Sequence, residues 1–599
     1  MPSVSSLSRA SLLFVATLAL TGCSEESSAD AGTSVDAGSS VDAGSSVDAG
    51  SSVDAGSSVD AGTSDAGDGG GDAGTGDAGP VDAGDPSSED AGSGSPDAGP
   101  DVEPWDGGAA TLPERTDAKV PAPYSDCAFT LATNASVADC SDLSLFDRAS
   151  CPADAFNTLE SVGHYRLLTQ SPSGFILAGY GVSLPFDGSA GTMLGWPLTR
   201  QEVGAGAFLV NSTFGAASPS LPARDFVFVG CTRPEPRRVN GCFVQCSDGK
   251  VRSKGTFTAL RPSWGRGESE SSGGLFLRSE TRVPLGLPLE VAVAKDHAYV
   301  VAARDRSQPG GLAVFDVTTR TSPVLIQRIP APDTTSWNSV WAEGDALYIA
   351  SSSGVLIYDI SNPAELRYVR AVPDEPLNVH TVHVQGDRLY AMSPSPTGQT
   401  LLFDASSPFS PVLLNRVTAS GDLGGPHDAF AYQDRLYVSS MSSGYVVFDV
   451  ANPAQVQELG AYRYNGQDAH TSAVGTFASR TIAFEASEGP GTHLRVLDVT
   501  DPANMRLIGE YALRPEYSIH HLILRGTKLY ITHYQEGVRV LDVSVPPKPR
   551  EVAYFNTFLE TQPGRGSSLY EGAIGIRVPN DGYVYVVDSH RGLLIFNEP

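Results

Sequence analysis

The feature that most constrains this chain is a motif that returns seven times in its carboxy-terminal half. One copy reads Arg435-Leu436-Tyr437-Val438, a polar turn, then a run from Gly444 through Val447, Phe448, Asp449 and Val450 to Pro453. Its counterparts include Ala346-Leu347-Tyr348-Ile349 with 354–363 and Lys528-Leu529-Tyr530-Ile531 with 537–546. The acid that ends the second apolar run stands at Asp316, Asp359, Asp404, Asp449, Asp498 and Asp542, with Asn597 in the last copy, giving intervals of 43, 45, 45, 49, 44 and 55 residues. Each unit holds four short strand signals, and a lone four-stranded sheet cannot bury both faces, so neighbours must cover one another. Seven units of this kind predict an all-β, seven-bladed β-propeller over residues 274–599.

The recurring Asp is expected to accept a hydrogen bond from the backbone two residues on, while the Pro that follows fixes the turn; these six acids are turn residues and not catalysts. The seventh copy ends at Pro599 just after its third strand and lacks an outer one. The stretch Leu275 to Pro284 ends in Arg282-Val283-Pro284, like the outer-strand endings at Arg328-Ile329-Pro330 and Arg370 to Pro373. It is therefore expected to supply the missing strand and close the ring. The pattern Leu-Tyr-Val followed by Gly-Leu-x-Val-Phe-Asp-Val-Ser-x-Pro resembles the LVIVD repeat of bacterial surface and secreted proteins. That resemblance implies a propeller and export, and no settled activity.

The amino terminus speaks to compartment. Ser11 to Leu20 is a short apolar run after Arg9, too short to span a bilayer and suited to a signal peptide over 1–22. Leu20-Thr21-Gly22-Cys23 looks like a bacterial lipobox, which implies cleavage before Cys23 and its lipidation. Residues 23–112 carry Ser-Ser-Val-Asp-Ala-Gly repeats and looser Asp-Ala-Gly units; with so few large apolar side chains they are expected to remain a disordered tether. From Ser24 to Leu112 there are 20 Asp and Glu and no Lys or Arg, so this segment supplies most of the formal net charge of −29. Such acidity argues against nucleic acid as a partner.

Between tether and repeats, 113–273 reads as a β-rich domain with strand signals at His164–Thr169, Gly174–Val182, Asp225–Gly230, Arg238–Gln245 and Lys250–Leu260. It holds six cysteines, Cys127, Cys140, Cys151, Cys231, Cys242 and Cys246. An even count in an exported chain points to three disulfides, in any of about 15 pairings.

The histidines carry the remaining signal. His380, His427 and His520 stand ten residues before Tyr390, Tyr437 and Tyr530, and His470 stands twelve before Ile482. Equivalent positions at the entry to innermost strands form a ring at one mouth of a propeller's axis. Asn338, Glu290 and Glu571 are expected at the same level in other blades, and His533 and His590 on loops of that face. His164, His297, His383 and His493 read as ordinary strand or surface residues. No cofactor is firmly implied. Converging imidazoles of His380, His427, His470 and His520 would suit a transition metal such as iron, zinc or copper. Alternatively, each imidazole clasps a neighbouring blade's carbonyl.

The sequence contains no Gly-rich phosphate loop, no Gly-x-Ser-x-Gly elbow and no His-Glu-x-x-His helix. The expectation is a monomeric lipoprotein of the cell envelope, held to a membrane by its lipid anchor, whose funnel face binds a protein, peptide or glycan without catalysis. An extracytoplasmic metalloenzyme built on the four histidines is the alternative, and an envelope scaffold is a third.

Overall fold

The computed structural model describes residues 104–599 except 115–122, 205, 216–221, 263, 265–266, 306–307, 397, 422–423, 465–467, 490, 515, 563–567 and 569. The signal peptide, Cys23 and the tether up to residue 103 lie outside the described residues. No helix among those described is long and apolar enough to cross a membrane.

The expected seven blades are present. Six are antiparallel sheets whose four strands follow one another in sequence, within 287–330, 337–372, 381–417, 428–462, 468–511 and 521–555 (blades 1 to 6). Blade 7 takes three strands from 573–597, and its outer strand is Leu277–Thr281, paired antiparallel with Gly592–Asn597. The ring thus closes as its missing strand required. A further short strand, Ser271–Ser272, pairs with the outer strand of blade 6 and was not foreseen. Within a blade the second strand is buried on both faces, as at Ala346–Ser351, because each sheet is sandwiched between two neighbours. An outer strand such as Val324–Pro330 instead alternates between exposed and half-buried residues.

The six repeated acids take the turn role. Asp316, Asp359, Asp404, Asp449, Asp498 and Asp542 each accept from the backbone N–H two residues on, at 2.8–3.2 Å. The seventh position does something else. Asn597 accepts from the Phe276 N–H at 3.0 Å and donates to the Gly274 carbonyl at 2.7 Å, which fastens the amino-terminal strand to the carboxy-terminal blade.

The β-rich domain is a closed antiparallel barrel of eight strands: Gly163–Gln170, Ile176–Leu184, Thr192–Met193, Trp196–Gly204, Ala207–Phe214, Arg224–Glu235, Arg238–Ser247 and Lys250–Leu260. The last strand pairs with the first, and at that seam a Cβ on Gly255 would fall 1.9 Å from the Gln170 carbonyl oxygen. Eight strands leave an interior that side chains can fill. Tyr165, Leu167, Tyr180, Phe208, Phe226, Phe228, Phe243 and Phe257 fill it here. Three strands, Thr192–Met193, Trp196–Gly204 and Ala207–Phe214, had no counterpart in the expected set. Trp196–Gly204 is largely exposed and carries Thr, Arg, Gln and Glu, so its apolar alternation is weak; it turns into Ala207–Phe214 between two glycines in the left-handed region, Gly204 and Gly206.

All six cysteines form disulfides: Cys127–Cys242, Cys140–Cys246 and Cys151–Cys231. They fasten the segment before the barrel to two of its strands, and such bonds belong to an oxidising compartment.

Residues 104–114, most of which the sequence assigns to the tether, run along blade 5. Trp105 and Ala109 pack against its core, the Leu112 N–H bonds the Leu507 carbonyl at 2.8 Å, and Glu114 accepts from Arg495 Nε at 2.7 Å and from the Tyr462 hydroxyl at 2.7 Å. A Trp and an acid opposite a buried Arg give this stretch the anchoring groups that the Asp-Ala-Gly repeats lack.

The barrel docks on the loops that lead into blades 6 and 7. Arg261 and Glu560, both 4% exposed in their side chains, pair at 2.6 Å. Glu560 also accepts from the His164 N–H at 2.9 Å, and its carbonyl accepts from His164 Nε2 at 3.0 Å. Arg238 pairs with Glu516, and Arg166 Nη1 donates to the Ser568 carbonyl at 3.3 Å. His164 is therefore an interface residue and not an ordinary strand histidine.

Removing 575–599 should abolish the single cooperative unfolding of the whole propeller rather than trim one blade, because blade 7 loses its inner strands and Leu277–Thr281 its partner. Calorimetry of the truncated chain checks this, and an unchanged main transition would contradict it.

Candidate functional site

Inner strands of all seven blades begin at the face on which the barrel docks, and their first residues line a cavity of ≈ 170 Å³ on the axis. At its mouth stand Asn338, His380, His427, His470 and His520, from five successive blades. His380, His427 and His470 arrive side by side, with ring centroids 4.2 and 4.0 Å apart, and His470 lies 4.9 Å from His520. His533 and His590, expected on this face, are not part of the lining. Glu571 is also outside it and accepts from the Ser568 N–H at 3.0 Å.

Four of the five mouth residues reach the next blade's backbone, and His380 meets the next blade's imidazole instead. Asn338 Nδ2 donates to the His380 carbonyl at 2.9 Å; His427 Nδ1 lies 3.2 Å from the His470 carbonyl, His470 Nδ1 3.0 Å from that of His520, and His520 Nδ1 3.0 Å from that of Ile574. A carbonyl oxygen only accepts, so these three Nδ1 atoms must carry protons. Burial pushes His380 and His520 down to about 4, and His427 and His470 well below the usual imidazole range. The rings are accordingly neutral near pH 7, and Nε2 of His427, His470 and His520 carries a lone pair. His380 Nε2, 2.8 Å from His427 Nε2, must then be the donor of that pair.

Two groups the sequence did not single out join the mouth. Glu488, at the end of the second strand of blade 5, places Oε1 3.6 Å from His470 Nε2 and accepts a hydrogen bond from the Tyr534 hydroxyl. Burial raises Glu488 to about 7. Tyr534 sits at φ +43°, a left-handed conformation unusual for an aromatic residue. That backbone turns its ring to within 5.2 Å of His520 and 5.4 Å of Tyr570. The turn was the expected one, but Tyr534 rather than its neighbour His533 faces the axis.

About three residues deeper along the inner strands, roughly 10 Å on, the lining changes character. Trp341, His383, Phe430, Ile523 and Arg577 lie there. The Arg577 guanidinium stands 5.0 Å over the Trp341 ring, whose centroid lies 4.7 Å from His383, itself 5.3 Å from Phe430. His383 Nε2 accepts from the Ala431 N–H at 3.2 Å, so His383 is a channel residue. Between the two levels, Glu290 of blade 1 meets His521 Nδ1 at 2.9 Å and Arg577 Nη1 at 3.6 Å. Burial alone would raise this carboxylate; Arg577 and His521 outweigh it and hold Glu290 at about 2.

Residues 336–372, which comprise blade 2, match the family model of the LVIVD repeat, so the chain carries this repeat within a seven-bladed propeller. A comparison with curated proteins finds no match. Among solved structures, the chain is similar to the computationally designed Ika8 protein (10% identity, TM-score 0.39, 54% of this chain and 99% of that one). It is similar also to a chain of the mitotic checkpoint complex (12%, TM-score 0.41, 54% and 93%) and to YCF48 bound to D1 peptide (9%, TM-score 0.39, 55% and 98%).

Because folding lowers Glu290 from its usual 4.5 to about 2, its pairing stabilises the fold above pH 4.5, and that contribution is lost as pH falls from 4.5 towards 2. Glu290→Gln should therefore cost on the order of 1–3 kcal/mol at pH 7 and progressively less below pH 4.5. Denaturant titrations of both proteins across pH 3–7 check this, and a pH-independent difference would contradict it.

Proposed function

We propose that the protein is an exported, membrane-tethered recognition module whose axial cup binds the end of an extended peptide or glycan. The observation that carries this reading is the cavity on the propeller axis. It combines apolar and aromatic walls, from Leu287, Leu289, Trp341, Phe430 and Ile523, with a few convergent polar groups at its rim. Binding sites commonly have this make-up, in which apolar walls supply contact and sparse polar groups set orientation. Neutral imidazole, phenol and indole rings offer stacking faces and hydrogen bonds without a net charge that would restrict the ligand to ions. The barrel rises beside blades 6 and 7, which favours a narrow chain end over a flat protein surface.

The tether and the lipidated Cys23 belong to the same reading: the acidic, repeat-rich segment would hold cup and barrel away from the membrane while the acyl chains hold the protein on it.

Fluorescently labelled full-length protein applied to peptide and glycan arrays tests the cup. Ligands that it retains should bind at least about tenfold more weakly to His380→Ala and Phe430→Ala variants with unchanged thermal stability. Retention unaffected by both substitutions, or no retained ligand, would count against it. Radiolabelled palmitate supplied to producing cells should label the wild-type chain and not Cys23→Ser; equal labelling would remove the anchor from the reading.

A further inference from the structure

The four histidines at the mouth are not equivalent. His380 and His427 spend their facing Nε2 atoms on each other, at 2.8 Å. His470 and His520 carry their protons on Nδ1, each held by the carbonyl of the next blade, and their Nε2 lone pairs make no hydrogen bond among the described residues. The carboxylate of Glu488 stands beside them: one ligand atom from each of His470, Glu488 and His520 fits within 4.8 Å of both others. We propose that His470, His520 and Glu488 form a binding site for a first-row divalent transition metal, with its remaining coordination positions open to the cup.

Three features carry this. The first is composition: two neutral imidazoles and one carboxylate on one side of a cation are the ligand set of open mononuclear iron and zinc centres. The second is the outer shell. A metal-bound imidazole characteristically donates its other ring N–H to a backbone carbonyl, which fixes tautomer and ring direction; both histidines already do so. Glu488 is likewise oriented, by the Tyr534 hydroxyl. The third is spacing. Bonds of about 2.1 Å place ligand atoms about 3–4 Å apart. His470 Nε2 and Glu488 Oε1, at 3.6 Å, already have that separation, and closing the widest edge of the triangle asks for a movement on the order of 1 Å. The three ligands come from the start and the second strand of blade 5 and from the entry to blade 6, so two adjacent blades build the site. It stands independently of any peptide or glycan in the cup.

The test uses untagged full-length protein, stripped with chelator and titrated with Co2+ while visible absorption is recorded, then challenged with Zn2+. One equivalent of Co2+ should bind and be displaced by Zn2+. Affinity should fall at least about tenfold in His470→Ala, His520→Ala and Glu488→Gln, and stay within about threefold of wild type in His380→Ala. X-ray absorption of the zinc-loaded wild type supplies a readout that needs no variant, with two imidazoles and oxygen ligands expected. The proposal is overturned if no stoichiometric uptake occurs, if His380→Ala loses metal as fully as the other variants, or if three or four imidazoles surround the zinc.

Discussion

A hydrogen bond from an imidazole Nδ1 to the carbonyl of the next blade organises this molecule at its centre. It is made by His427, His470 and His520 in turn, and Asn338 makes the amide version of it two blades before His427. Each bond ties two blades where their inner strands begin and the sheets converge, and antiparallel backbone pairs add to it between Met441 and Ala469 and between Tyr534 and Ala573. The same bond fixes the tautomer, so it also decides which ring nitrogen faces the axis with an electron pair. Cohesion of the ring and chemistry of the cup therefore have one cause, and the clasp and ligand readings of these histidines are compatible.

Geometry around the axis then differentiates chemically identical residues. His380 turns its Nε2 proton on His427, which uses up that pair. One blade further round, Glu488 and Tyr534 enter from strand ends and from a turn with a left-handed residue, and the lone pairs of His470 and His520 meet a carboxylate instead of another imidazole. The barrel adds asymmetry on the same side. Its buried Arg261–Glu560 pair and the reach of Arg166 to the Ser568 carbonyl secure it over the entries to blades 6 and 7. Removing one partner of such a buried pair leaves an uncompensated charge, so this docking resists separation.

Much of the architecture was legible because it is encoded locally and repeatedly. Seven recurrences fix the blade number, and the Asp-x-x-x-Pro turns report themselves through spacing alone. The missing outer strand of blade 7 is a counting argument that Leu277–Thr281 fulfils. The even number of cysteines pointed to disulfides, and pairing Cys127 with Cys242 needed the barrel's register. The barrel itself was only half visible, since Trp196–Gly204 lies largely exposed and lacks a clear apolar alternation. In the cup, the four mouth histidines and Asn338 were readable as equivalent positions. Glu290 was also readable as such a position, but its partners His521 and Arg577, like Glu488 and Tyr534, were not, because these contacts depend on the angle at which a strand end or turn meets the axis. His383 was read as ordinary because a single histidine within a strand carries no sign of which face it will present.

The most direct measurement of the central claim is the protonation pattern of the mouth imidazoles, read by nitrogen-15 NMR of protein labelled only in histidine, with single substitutions for assignment. At pH 7 the four rings should be neutral, with the proton on Nδ1 in His427, His470 and His520 and on Nε2 in His380. Charged rings, or Nε2 protons on His470 and His520, would contradict the interblade clasp and with it the inward-facing electron pairs on which the cup's chemistry is built.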